Sequence, residues 1–158
     1  MPDYVSSTNA LVDKIVKLPA GHQKIDLATC LDLCEMIKLR SGNARIALDR
    51  IIHHVNGFDD RRAFFALNLL EVIMLNGGFP VRFLVSRKDF LNSLVSRFPA
   101  VARKKPDPIE DYICLLLSKW SKSLGVKSKY KEEYANFHLM SDLLASKGTS
   151  LTVFTNCK

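Results

Sequence analysis

The run RRAFFALNLLEVIML, residues 61–75, constrains the fold more than any other stretch. It is long enough for about four helical turns and contains neither Gly nor Pro. Its apolar residues fall on nearly every side of a helix, a pattern that requires neighbours on both flanks. Asp59 and Asp60 precede it, where carboxylates suit a positive helix N-terminus. Asn76-Gly77-Gly78 ends it with a helix-stop signal. No flanking segment shows the paired apolar–polar alternation of strands. An enclosed central helix in such a chain needs other helices around it.

The remaining sequence supplies them. Leu11, Ile15 and Leu18 recur at helical spacing after Ser6, Ser7 and Thr8, which read as N-cap residues. A second helix is expected from about Lys24 to Lys38, with Leu27, Cys30, Leu31, Cys34 and Ile37 as its apolar stripe. A third runs from about Gly42 to Val55, capped by Ser41 and stopped by Asn56-Gly57. After the central helix comes a short turn near Val81–Val85. A further helix spans Arg87 to about Phe98, capped by Ser86, with Phe90, Leu91, Leu94 and Val95 inward. The basic loop ARKKPDP separates it from a helix over Ile109 to about Leu124, which carries Tyr112, Leu115, Leu116 and Trp120. The last helix is expected from Lys131 to about Lys147, presenting Tyr134, Phe137, Met140, Leu143 and Leu144. Seven or eight helices on short loops indicate an all-α stack or superhelix in one domain.

Charge narrows the function. The net charge is +7, and 12 basic against 4 acidic residues between Arg82 and Lys131 carry the whole excess. A one-sided field of this kind attracts acidic peptides, phosphate or an anionic membrane surface. No apolar run approaches the roughly 18 residues of a membrane span. The first ten residues lack the features of a signal peptide, so a cytoplasmic location is expected. The motifs GxSxG, HExxH, GxGxxG and the P-loop are missing, and no enzyme activity is expected. His22 and His138 have no Ser, Cys or Asp partner at a motif spacing. His53-His54 reads as a cationic pair answering a helix C-terminus. Cys30, Cys34, Cys114 and Cys157 read as free thiols, because the CxxC spacing of a zinc site is absent. No metal or cofactor is expected, nor nucleic acid, since no recognition motif accompanies the high pI.

The stretch FFALNLLEVIMLNGGFPVRFLVSRKDFLNSLVSRFP, with Trp120 and SDLLASKG, resembles the VHS domain of endosomal and Golgi sorting proteins. Within that family it is most similar to the fungal GGA-type clathrin adaptors. The resemblance implies a right-handed α-α superhelix of about eight helices (ENTH/VHS-like) over residues 1–148, with 149–158 as a C-terminal tail. It also implies a non-enzymatic role in vesicle trafficking: choosing cargo at trans-Golgi and endosomal membranes. Partners would be the cytosolic tails of sorted membrane proteins, ubiquitin on cargo and anionic phospholipid.

Carried over residue by residue, the family's groove for acidic dileucine (DxxLL) tails would use Arg87, Lys88, Asn92 and Val95 from the sixth helix and Met140 and Leu143 from the eighth. Arg87 stands in for a family Lys and can pair with a carboxylate bidentately. The chain departs from the pattern at Lys88, where an aromatic is usual, and at Asp89, where a cation is usual. It departs again at Asn136, which replaces a Lys, and at Met140, which replaces a small residue. The family's ubiquitin surface would use Leu27 and Leu31. Leu27 stands where many members carry Trp, and it reads as core first and as a contact second. An alternative function is peripheral membrane or phosphoinositide binding by the basic Arg82–Lys131 face, through Lys104, Lys105, Lys127, Lys129 and Lys131.

Overall fold

The computed structural model describes residues 4–99, 105, 107–124 and 132–146. The described residues contain eight helices and no strand, as the all-α reading requires. The chain divides into two compact units, Met1–Val85 and Ser86–Lys158.

The first unit holds α1 (Tyr4–Val16), α2 (Leu27–Leu39), α3 (Asn43–Val55), α4 (Asp60–Asn76) and α5 (Phe79–Val85). Ser6, Ser7 and Thr8 are not caps: α1 starts before them, and Thr8 lies buried within it. The buried face of α1 is Val12, Ile15 and Val16; Ile15 is buried as expected, while the expected Leu11 and Leu18 are only half-buried. The α2 N-cap is Asp26, whose carboxylate accepts from the Ala28 N–H at 3.2 Å and from the Thr29 hydroxyl at 2.7 Å. Gly42, not Ser41, occupies the α3 N-cap and gives no side-chain bond. Asp59 caps α4 by accepting from the N–H groups of Arg61 and Arg62.

The core of this unit sits where α4 packs on α1, α2 and α3. Phe65, Leu67, Leu69, Leu70 and Ile73 are all fully or almost fully buried. Full burial of each such side chain stabilises by about 1.5–3 kcal/mol. The two glycines after α4 do different work. A Cβ on Gly77 would stand 2.6 Å from the Ile73 carbonyl and 2.7 Å from Val81 Cγ2. Gly78 adopts φ +90°, which L side chains resist. The chain can then turn at once into α5, a seven-residue helix where only a short turn was expected.

The second unit holds α6 (Lys88–Leu94), α7 (Pro108–Ser123) and α8 (Ala135–Ser146). α6 is shorter than the expected span to Phe98, because the chain leaves the helix at Val95. α7 begins with Pro at its first position and Asp107 as N-cap, a favourable pairing for a helix start. Burial acts to raise the Asp107 carboxyl, but N–H donation from Glu110 and Ile109 and the nearby Arg97 leave it below its ordinary value. α7 and α8 pack along their length. Trp120, Tyr134 and Phe137 form an aromatic cluster between them, with ring centroids 5.6 and 6.1 Å apart. Leu115, expected inward, is 45% exposed. It occupies the outer side of a helix whose inner side is Ile113, Leu116, Leu117 and Trp120.

Candidate functional site

Two expected core leucines are on the surface. Leu27 is 57% exposed and Leu31 is 40% exposed, while the unpredicted Leu33 is fully buried. The physical reason is register. α2 turns Cys30, Leu33, Cys34 and Ile37 inward, and residues 27 and 31 fall on one edge of that face. Leu27 faces an open stripe on α4, where Leu75 is exposed and Asn68, Glu71 and Val72 are half-buried, and Phe64 is exposed further along α4. Positions 64, 68, 71 and 75 follow helical spacing. The all-round apolar reading of α4 thus fails along one line.

Between the two helices lies an open apolar cavity of about 330 Å³, walled chiefly by Leu27, Val72 and Leu75, with Ile25 beside them and Lys24 and Glu71 supplying opposite charges. The sequence reading missed the α4 contribution. Its signal was present, since Asn68 and Glu71 are the two residues that interrupt the apolar run.

The second candidate surface lies on α6 and α8, which pack against each other. Arg87 is the α6 N-cap residue. Its guanidinium Nε stands 3.6 Å from the Asp89 carboxylate, and both side chains are more than half exposed. Lys88 and Asn92 are exposed, Val95 is half-buried, and Met140 is buried. On α8, Leu139 and Leu143 are 58% and 46% exposed and lie one turn apart. Leu139 was not singled out from sequence, although its spacing from Leu143 marks the same flank. Asn136 has a different task from the family lysine it replaces. Its Nδ2 donates to the Ser86 carbonyl at 3.0 Å, tying the start of α8 to the backbone that enters α6.

Of the expected membrane-contact lysines, Lys105 is exposed. Lys104, Lys127, Lys129 and Lys131 lie outside the described residues, as do the tail 149–158 and Cys157. α8 starts at Ala135 rather than Lys131, so the last lysine cluster precedes the helix by several residues.

The histidines depart from expectation. His54 is buried, and its Nε2 lies 2.6 Å from Asp13 Oδ1 on α1. Arg50 donates to both oxygens of Asp13 at 2.8 Å each. Hydrogen bonds from Arg50 hold the Asp13 carboxyl well below the usual carboxylate range, against the opposing effect of burial. Burial pushes His54 below the ordinary imidazole value even though Asp13 favours its charged form. His54 is therefore a neutral N–H donor near pH 7, and the helix-end cation reading does not apply to it.

His138 does have Ser and Asp partners. The Ser121 hydroxyl lies 3.4 Å from its Nδ1, and Asp142 lies 3.1 Å from its Nε2. His138 and Asp142 are about two-thirds exposed, so water competes for both groups and little activation of Ser121 follows. Cys30, Cys34 and Cys114 are buried free thiols. Burial raises Cys34 and pushes Cys30 up to about 11. Among the described residues no group of three His, Cys, Asp or Glu side chains is placed to hold a metal ion.

Residues 5–148 match the model of the VHS domain. The chain belongs to the VHS domain family. The VHS domain is 36% identical over 124 residues to a probable ADP-ribosylation factor-binding protein of Schizosaccharomyces pombe, covering 78% of this chain and 23% of that protein. It is 35% identical over 127 residues to ADP-ribosylation factor-binding protein GGA2 of Saccharomyces cerevisiae, covering 78% and 21%. A more distant relative, vacuolar protein sorting-associated protein 27 of Neurospora crassa, is 22% identical over 132 residues, covering 83% and 18%. The VHS domain spans less than a quarter of the length of each of these proteins. The resemblance to fungal GGA-type members read from the sequence agrees with these relatives.

Proposed function

We propose that this VHS domain is a non-enzymatic cargo-recognition module of a vesicle-trafficking adaptor, working at the cytoplasmic face of Golgi and endosomal membranes. The carrying observation is the α2–α4 groove. Leu27 and Leu75 are exposed and line an open apolar cavity, and Leu31 is exposed one turn further along α2. A folded partner with a small apolar patch fits such a surface, and ubiquitin attached to cargo is the partner this reading assigns. Burial of a small apolar patch is largely offset by the cost of association, so weak, avidity-dependent binding follows. The names of the relatives, which include a vacuolar protein sorting-associated protein, support a sorting role.

A second reading concerns α6 and α8. Exposed Leu139 and Leu143 beside the cations Arg87 and Lys88 suit a short tail with an acid followed by leucines. Asp89 already partners Arg87, and Asn136 offers no charge, so acid recognition there rests on Arg87 and Lys88 alone. Chemical-shift mapping with ubiquitin, a DxxLL peptide and its di-alanine control tests both readings. Shifts at Leu27, Leu31 and Leu75 with ubiquitin support the first. Shifts at Arg87, Asn92 and Leu143 with the dileucine peptide, lost in the control, support the second. A silent chain in both titrations would sink the cargo proposal.

A further inference from the structure

The connector between α1 and α2, residues 17–26, contains no helix. It bends at Pro19 and at Gly21, whose φ is +94°, and closes a turn from the His22 N–H to the Pro19 carbonyl at 3.3 Å. A segment without regular structure keeps one course only where other groups hold its backbone. α4 supplies that hold. Arg61, in the first turn of α4, donates from Nη1 to the Leu18 carbonyl at 2.5 Å. Its Nη2 donates to the Pro19 and His22 carbonyls at 2.7 and 2.6 Å. One planar guanidinium thus joins three carbonyls of the connector. Its central carbon lies 5.0 Å from the centroid of the Phe65 ring, which is 2% exposed, so the cation rests on the core of this unit. The helix dipole disfavours a cation at this end of α4, and the three carbonyls offset that. A lysine has no such fork.

The far end of the connector is fixed separately. Asp26 caps α2 by accepting from the Ala28 N–H. Between the last carbonyl held by Arg61 and this cap stand Gln23, Lys24 and Ile25. So short a tether, at about 3.5 Å per residue, has little slack. Ile25 is half-buried, and it and Lys24 line the same cavity as Leu27, Val72 and Leu75. The cavity therefore has a third wall that is loop rather than helix, and both ends of that wall are pinned.

We propose that Arg61 is the positioning residue of the α2–α4 groove. It holds the connector as the third wall, and so fixes where Ile25 extends the apolar surface and where Lys24 presents its charge opposite Glu71. Arg61 is not among the residues lining the cavity; it acts through the backbone it holds. The proposal rests on the reading of this groove as the cargo surface.

The test is NMR of the parent chain and Arg61→Ala, alone and with ubiquitin. In the variant, backbone order parameters at residues 22–25 should fall from about 0.85 toward 0.6. Ubiquitin should bind the folded variant about fivefold more weakly, as when the wall is in place about a fifth of the time. Guanidinium ion at millimolar concentration, against equal sodium chloride, should restore both in Arg61→Ala and change neither in the parent. Arg61 is exposed, so the variant should fold. Arg61→Lys keeps the stem and the charge but not the fork; it should show the same loss to a smaller degree, and carries the test if Arg61→Ala proves unstable. A merely stabilising Arg61 would lower the unfolding midpoint and leave order parameters and affinity of the folded chain unchanged, and that result overturns the proposal. Loss of order that guanidinium does not restore assigns the effect to the missing stem and overturns it too. If the parent chain binds no ubiquitin, the cargo reading fails, while order parameters and guanidinium rescue still decide the role of Arg61.

Discussion

Removing the Asp13 carboxylate tests the tie between α1 and α3. Asp13 accepts three hydrogen bonds, two at 2.8 Å from Arg50 and one at 2.6 Å from His54. Hydrogen bonds to charged groups contribute about 1.5–3 kcal/mol each, but two of these share one guanidinium. The Asp13 and Arg50 side chains also remain 22% and 30% exposed, which screens part of the gain. Asp13→Ala further strands the buried His54 donor. The expected loss is about 3 kcal/mol, or about 10 °C in Tm for a chain of this size. Asp13→Asn keeps one acceptor and the shape, and about half that loss is expected.

Thermal unfolding followed by circular dichroism measures both variants. pH supplies the sharper check. The folded carboxyl titrates below its ordinary value of 3.8, so its contribution is complete above that value and is lost as pH falls through and below it. The gap between the parent chain and Asp13→Asn should therefore narrow from about pH 5 toward pH 2. A gap that is absent at pH 7, or one that does not narrow on acidification, would refute the account of this tie.

Three further outcomes are expected. The neutral form of His54 is favoured by burial, so its stabilising contribution is present above its ordinary 6.5 and is lost as pH falls below that value; NMR titration should place its midpoint below 6.5 and lower still in Asp13→Asn. Gly77→Ala should destabilise by about 1–3 kcal/mol, because the added carbon meets the Ile73 carbonyl and Val81, as denaturant unfolding would show. Cys30, pushed up to about 11 by burial, should resist thiol reagents at pH 8 in the native state and react at once in denaturant; rapid native labelling would contradict the packing around α2.

The fold was legible because its signals are local and redundant. α4 announces itself by a long apolar stretch framed by Asp59-Asp60 and Gly77-Gly78, and the structure ends the helix within a residue of those marks. α3 and α7 were legible for similar reasons. Less of the register was visible. On α1, Leu11 and Val12 are both apolar and adjacent, and periodicity alone does not say which one faces α3. On α2, four leucines and two cysteines crowd thirteen residues. Several wheel orientations fit them, and only the neighbouring helices choose among them. The Asp13–Arg50–His54 tie joins residues about forty positions apart, and no local pattern predicts that pairing.

The candidate surfaces follow from the same ambiguity. An apolar residue on a crowded helix reads as core by default, so Leu27 and Leu31 were assigned inward, although their exposure is what makes them available to a partner. The corrective signal lay on the facing helix. Asn68 and Glu71 interrupt α4 at helical spacing, and a polar line on a central helix marks the side that no neighbour covers. Leu75 and Phe64 fall on that line and are exposed with it. A helix that is otherwise buried therefore records, in two polar residues, where its own enclosure stops. The α6–α8 surface lacks such a mark, because its cations are exposed in either reading and Asn136 looks polar whether it meets a ligand or, as here, the Ser86 carbonyl.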